Sequence, residues 1–216
     1  MANRAASKAA DEIMAVSDLV IAIGADFPFA NLIYRTHDFK FVQIDNDEAQ
    51  FGRHHFLDFG IWSDATTFVE KVVARSQAAA PSPFFKAAVA DMKNWQAYLD
   101  ALTNRPSDPL EFEPIYKEIN RIADPDAVFS IDVGDNIINS FRHLHLTPKN
   151  KWVISALFAS MGSGVPGALA GQLSYPDRQV FNIAGDGAFS MVMQDLITEK
   201  KYQLPIINII TSNASL

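Results

Sequence analysis

The turn Gly185-Asp186-Gly187 limits what this chain can fold into more than any other feature. It lies between two apolar runs and is followed, after 25 intervening residues, by Asn213. Gln179–Ala184 (QVFNIA) is expected as a buried strand, Phe189–Tyr202 has helical periodicity, and Leu204–Thr211 (LPIINIIT) is a second apolar run. A strand–helix–strand unit of this length makes its two strands parallel neighbours. Asp186 and Asn213 are then expected together at the carboxyl ends of those strands, where open α/β sheets bind ligands. A carboxylate and an amide oxygen are hard donors suited to Mg²⁺, an ion that fills its octahedron with water and substrate phosphates. The glycines allow close backbone approach, and a helix N-terminus favours an anion. The pattern predicts a metal–diphosphate site. A plainer reading stays open, with Asp186 as a helix cap and Asn213 as a strand-end turn residue.

Strands alternate with helices along the rest of the chain. Leu19–Ile23 ends at Gly24, Phe39–Ile44 ends at Asp45, and Phe59–Trp62 ends near Asp64-Ala65, with helices expected around and after them. The small, proline-containing stretch Ala78–Pro83 is the best linker, and Phe84–Leu102 is a long amphipathic helix. A helix over Glu113–Ala123, a strand over Ala127–Ile131 and a helix over Asn136–His143 follow. A short strand at Trp152–Ile154 precedes the glycine-rich segment Ser160–Gly171. This order predicts an α/β fold, parallel sheets flanked by helices. Three parts are expected: 1–77, a linker with connecting helix at 78–108, and 109–216.

Composition narrows the function. Apolar residues make up 49% and charged residues 20% of 216, an ordinary globular balance. The net charge of −7 gives no reason to expect a nucleic-acid partner. A bound diphosphate must therefore be held locally, by a metal and backbone amides. There is no cysteine, which excludes disulfides and thiolate metal sites and fits a cytoplasmic protein. No apolar run reaches the ~18 residues of a membrane span.

Two further segments can carry chemistry. Gly162-Ser163-Gly164-Val165-Pro166-Gly167 is a literal G-x-G-x-x-G, but no convincing strand precedes it and no acid follows at the end of a second strand, so a nicotinamide site is not expected. Tight helix packing through small residues and a cofactor contact both remain open for it. Asp132-Val133-Gly134-Asp135 follows a strand; Asp135 is a candidate helix cap.

The spacing of Gly185-Asp186-Gly187 and Asn213 resembles the motif of thiamine diphosphate (ThDP) enzymes. The stretches IDVGDNIINSFRHLHLTP, LFASMGSGVPGALA, YPDRQVFNIAGDGAFSMVMQDL and YQLPIINIITSN extend that resemblance to the pyruvate oxidases that form acetyl phosphate. The resemblance implies a partial FAD-type Rossmann domain followed by a partial ThDP-binding fold. It implies that Asp186, Asn213 and the Ser215 carbonyl ligate Mg²⁺. Gly134, Asp135, Gly187 and Ala188 would line the diphosphate, Met161 would prop the cofactor bent, and the carbonyl of Ser160 or its neighbour would hold its pyrimidine. FAD would lie across Gly24, Asp45, Asp64 and Ala65. The reaction implied is oxidative decarboxylation of pyruvate with phosphate and O₂, in a homo-oligomer.

Family subunits are about three times longer, so the chain is expected to be a piece of such an enzyme and inactive alone. The glutamate that activates the cofactor's pyrimidine belongs to a domain outside this stretch, and no residue here is assigned a catalytic role. Acetolactate synthase, a 2-keto acid decarboxylase and a non-catalytic nucleotide-binding or assembly fragment are the alternatives.

Overall fold

The computed structural model describes residues 7–25 and 39–212. Asn213, Ser215 and the helix expected before Phe39 lie outside the described residues. The chain divides into two compact units, 1–97 and 98–216.

The first unit is built on a parallel sheet in the order β1 (Leu19–Ile23), β2 (Lys40–Asp45), β3 (Phe59–Trp62). Each strand lies within one residue of its expected bounds. Ala22, Phe39 and Phe41 form its core with Met14, Val20 and Leu57 packed around them. Helix Lys8–Ala15 is capped by Ser7, whose Oγ accepts from the Ala10 N–H. Helix Ala65–Arg75 is capped by Asp64, whose Oδ1 accepts from the Thr67 N–H. The long helix expected from Phe84 runs over Pro83–Thr103.

The second unit carries a parallel sheet in the order β5 (Lys151–Ile154), β4 (Val128–Ile131), β6 (Val180–Gly185), β7 (Ile206–Thr211). β4 and β6 are central and almost wholly buried, whereas every residue of β7 is half-buried. A central parallel strand is covered on both faces, which is why VFSI and VFNIA read as apolar runs rather than as alternation. One face meets helices Phe112–Ile122 and Asp135–His143. There Tyr116, Ile119, Phe129, Ile131, Phe181 and Ile183 make the main core, with Phe129 and Phe181 stacked 5.3 Å apart. The other face meets helix Gly164–Ser174 through Val128, Ala168 and Val180.

That second face also carries a polar row. Ser130, Asn182 and Asn208 stand opposite one another in register on β4, β6 and β7. Ser130 Oγ donates to the Gly164 carbonyl, Asn182 Nδ2 to Asn208 Oδ1, and Asn208 Nδ2 to Glu199 Oε2. Burying such groups is tolerable because each side chain makes at least one hydrogen bond, although Asn182 Oδ1 itself has no partner. The glycines of the helix make room for them. A Cβ on Gly167 would collide with Ser130 Oγ, and one on Gly171 would lie 3.0 Å from Val128 Cγ1. Close packing of a small-residue helix is thus realised here.

The helix expected over Phe189–Tyr202 is instead broken into three pieces. A helical turn covers Asp186–Ser190, a 3₁₀ turn Met193–Asp195 and a short helix Leu196–Lys201. The break falls at Val192, φ −135°. Its side chain approaches Gly162 closely, with Cγ1 3.1 Å from where a Cβ there would stand. Tertiary packing overrides the helical period at this point.

Candidate functional site

The carboxyl ends of β4, β6 and β7 open onto one cleft in the second unit. Its lining includes Gly134, Asp135, Met161, Asp186, Gly187 and Ala188. Gly185 pairs with Thr211 across the last step of the β6–β7 ladder. That register fixes Asp186 beside the end of β7. Asp186 Oδ1 accepts from the Gly187 N–H at 3.0 Å, and Oδ2 accepts from Ser212 Oγ at 2.9 Å. Asp186 is thus bonded to Ser212, the residue before Asn213. The donor chemistry fits a hard cation: a carboxylate at a strand end, faced by a hydroxyl oxygen.

The β4 end supplies the opposite wall. Gly134 has φ 133°, a region glycine adopts without strain. Nothing lies within 4 Å of the place a Cβ would occupy there. The backbone is thus laid open toward the cleft, as an anion needs. Helix Asp135–His143 begins at Asp135 itself, with Gly134 in the cap position and no side-chain cap. Asp135 therefore does not serve as the cap that the sequence suggested. Met161 is 43% exposed on the cleft wall, where a ligand can meet an apolar side chain. The adjacent Ser160 donates its N–H to Ser155 Oγ.

Sequence reasoning assigned no role to two residues of this site, Asn136 and Thr211, or to Asp132 behind it. Asn136 is buried yet reaches the cleft, and its Oδ1 accepts from Thr211 Oγ1. Thr211 thereby ties β7 to the start of the helix after β4. Asp132, fully buried, accepts N–H bonds from Val133, Gly162 and Gly164. An acid ending an otherwise apolar strand was the available signal for it. Among the described residues no three His, Cys, Asp or Glu side chains cluster as a metal site.

In the first unit, Gly24, Asp45 and Asp64-Ala65 lie at the carboxyl ends of the three adjacent strands. Gly24 has φ 55°, and a Cβ there would be 3.9 Å from Ala65 Cβ. Its N–H donates to the Ile44 carbonyl. The two acids are partly engaged already: Asp45 Oδ1 accepts from the Asp47 N–H, and Asp64 caps the following helix.

Comparison with known proteins agrees with this geometry. The family described as thiamine pyrophosphate enzyme, central domain, matches residues 1–72. Its counterpart, thiamine pyrophosphate enzyme, C-terminal TPP binding domain, matches residues 132–216. Pyruvate oxidase of Lactiplantibacillus plantarum is 44% identical over 213 residues, covering 98% of this chain and 35% of that protein. The acetolactate synthase large subunit of Corynebacterium glutamicum is 28% identical over 211 residues, covering 93% of this chain and 33% of that protein. Glyoxylate carboligase of Escherichia coli O157:H7 is 28% identical over 206 residues, covering 93% and 35%. The chain spans about a third of the length of the curated relatives it matches. With the two domain matches in sequence order and the cleft at the strand ends, the chain belongs to the thiamine pyrophosphate enzyme family.

Proposed function

We propose that this chain supplies the diphosphate–metal end of a ThDP site in a pyruvate oxidase-type enzyme. The reaction proposed is pyruvate, phosphate and O₂ to acetyl phosphate, CO₂ and H₂O₂, in a homo-oligomer of the reducing cytoplasm. The observation that carries the reading is the placement of Asp186 at the end of β6, bonded across to Ser212 and facing the open backbone of Gly134.

Asp186 and the amide oxygen of Asn213, with the Ser215 carbonyl, are the Mg²⁺ ligands in this reading. Gly134, Asp135, Gly187 and Ala188 approach the diphosphate through backbone. Met161 supports the cofactor's bend, and the Ser160 carbonyl accepts from its pyrimidine amino group. When bound, the cofactor supplies a carbanion-stabilising electron sink, and the protein supplies binding, orientation and electrostatics. Gly24, Asp45, Asp64 and Ala65 are the proposed flavin contacts, with Asp45 accepting from ribose hydroxyls. The 44% identity to a pyruvate oxidase, against 28% to an acetolactate synthase, supports oxidase over the carboligating alternatives.

The test is titration calorimetry with Mg²⁺–ThDP on the enzyme that contains this chain and on its Asp186→Ala variant. Binding that needs Mg²⁺ and is lost in the variant is the expected result. Retained affinity in Asp186→Ala refutes the metal assignment. For the reaction, product analysis with pyruvate and phosphate on the enzyme that contains this chain is expected to give acetyl phosphate. Acetolactate or acetaldehyde as sole product would count against an oxidase.

A further inference from the structure

The segment between β5 and helix Gly164–Ser174 is turned tightly, and its shape is not set by its own sequence alone. Ala159 has φ 57° and Gly162 φ 85°. Between them lies Met161, which faces the cleft. The strongest hold on this loop comes from outside it. Asp132, the residue just past β4 and 0% exposed, is fixed to the sheet by its N–H, which donates to the Ile183 carbonyl at 2.9 Å. Its carboxylate then reaches over to the loop. Oδ1 accepts from the Gly162 N–H at 2.9 Å and from the Val133 N–H at 2.7 Å, and Oδ2 accepts from the Gly164 N–H at 2.9 Å. No lysine, arginine or histidine forms an ion pair with it among the described residues.

A buried carboxylate without a cation costs several kcal/mol unless hydrogen bonds compensate. Here three amides do so, and two of them belong to the residues flanking Ser163. Bonds from backbone amides to a carboxylate are short and roughly twice as strong as neutral ones. The two walls of the cleft, the β4 end and the 159–164 loop, are thereby tied through a single side chain. Val133 N–H, held by the same oxygen as Gly162 N–H, leads directly into Gly134.

We propose that Asp132 is a positioning residue for the cofactor. By gripping the Gly162 and Gly164 amides it sets Met161 and the Ser160 carbonyl at a fixed distance from the Gly134 backbone. This rests on the ThDP reading above. Asp132 touches no substrate or cofactor in this scheme; it acts through the loop. Glycine at 164 is a condition of the grip. A Cβ there would stand 2.8 Å from Asp132 Oδ2 and 2.5 Å from Asn182 Oδ1.

Asp132→Asn is the informative variant. Asn182 Oδ1 is buried without a hydrogen-bond partner, and it and Asp132 Oδ2 both lie near the point a Gly164 Cβ would occupy. An amide NH₂ placed at Oδ2 keeps the size of the side chain and removes the acceptor of the Gly164 bond. With only 10 glycines in the chain, isotope-labelled glycine resolves the amides of interest. In Asp132→Asn, hydrogen exchange at Gly164 is expected to quicken about tenfold or more relative to core amides such as Ile183, the loss of one charged hydrogen bond. The Mg²⁺–ThDP dissociation constant is expected to rise about tenfold. Ile119→Val, in the main core on the opposite face of the sheet, is the control: it lowers the unfolding midpoint but leaves both readouts unchanged.

Wild-type exchange at Gly164 in Asp132→Asn, or an unchanged dissociation constant alongside faster exchange, would overturn the positioning role. A control variant that weakens cofactor binding equally would reduce Asp132 to a general stability residue and overturn it too. Failure of the unmodified enzyme that contains this chain to bind Mg²⁺–ThDP would instead sink the reading on which the proposal rests. Glycine exchange would still decide whether Asp132 holds the loop.

Discussion

His143 is 3% exposed at the end of helix Asp135–His143, its ring tilted over Tyr116 with centroids 6.0 Å apart. Its Nδ1 is buried without a hydrogen-bond partner. Burial is the main cause that holds its pKa below the ordinary value. Arg142 and His145 push the same way, and Glu113 and Asp100 oppose. The folded chain thus binds this proton less readily than the unfolded chain does. Stability from the neutral ring is complete above the ordinary histidine value and is lost as pH falls from there through the folded value. We expect the urea midpoint to decline as pH falls below about 6.5, the ordinary histidine value. His143→Gln should flatten that decline; the same slope in variant and parent would show that another group titrates. Tyr116 beside it is shifted upward by burial, with its hydrogen bond to Ser140 opposing. It stays a neutral donor to the Asn136 carbonyl over the whole range.

Among the elements, helix Gly164–Ser174 is the one whose fit is most exacting. It lies on the sheet face that carries Ser130, Asn182 and Asn208, and it approaches because its contact positions lack side chains. Gly164→Ala would drive a methyl into two anchored oxygens, at 2.5 and 2.8 Å. Overpacking of this kind costs about 1–3 kcal/mol. A denaturant titration should show that loss as a lowered midpoint with an unchanged slope. A variant as stable as the parent would mean that Asn182 and Asp132 can retreat. The broken helix after Asp186 makes the same point in reverse. Its apolar residues satisfy a helical period on paper, yet Val192 leaves that period to pack against Gly162.

For the molecule as a whole, several large apolar side chains stand on the surface. Phe158 is 89% exposed, Leu157 72% and Ile197 73%. β7 is half-buried along its full length at the end of the sheet. Unpaired edges and apolar patches promote association. The chain is therefore expected to sediment as a species larger than one copy, and Leu157→Ser with Phe158→Ser should reduce that tendency. A monomer at every concentration would count against the proposed homo-oligomer. Among the described residues no helix is long and apolar enough to cross a membrane.

The sequence by itself determined the alternation of strands and helices and, to within two residues, the bounds of the strands, because runs such as VFNIA and IINIIT bury their side chains as strands of a parallel sheet. It also determined the placement of Asp186, since a turn between parallel neighbours leaves that residue at the strand end. Only the tertiary structure decided which polar groups inside those runs meet. Ser130, Asn182 and Asn208 fall opposite one another through register, and register is a property of paired strands. Asp132 gripping Gly162 and Gly164, 30 and 32 residues away, likewise depends on β4 and the loop after β5 being brought together. Local patterning carries the periodicity of burial; contacts between distant residues follow only once the sheet has closed the distance.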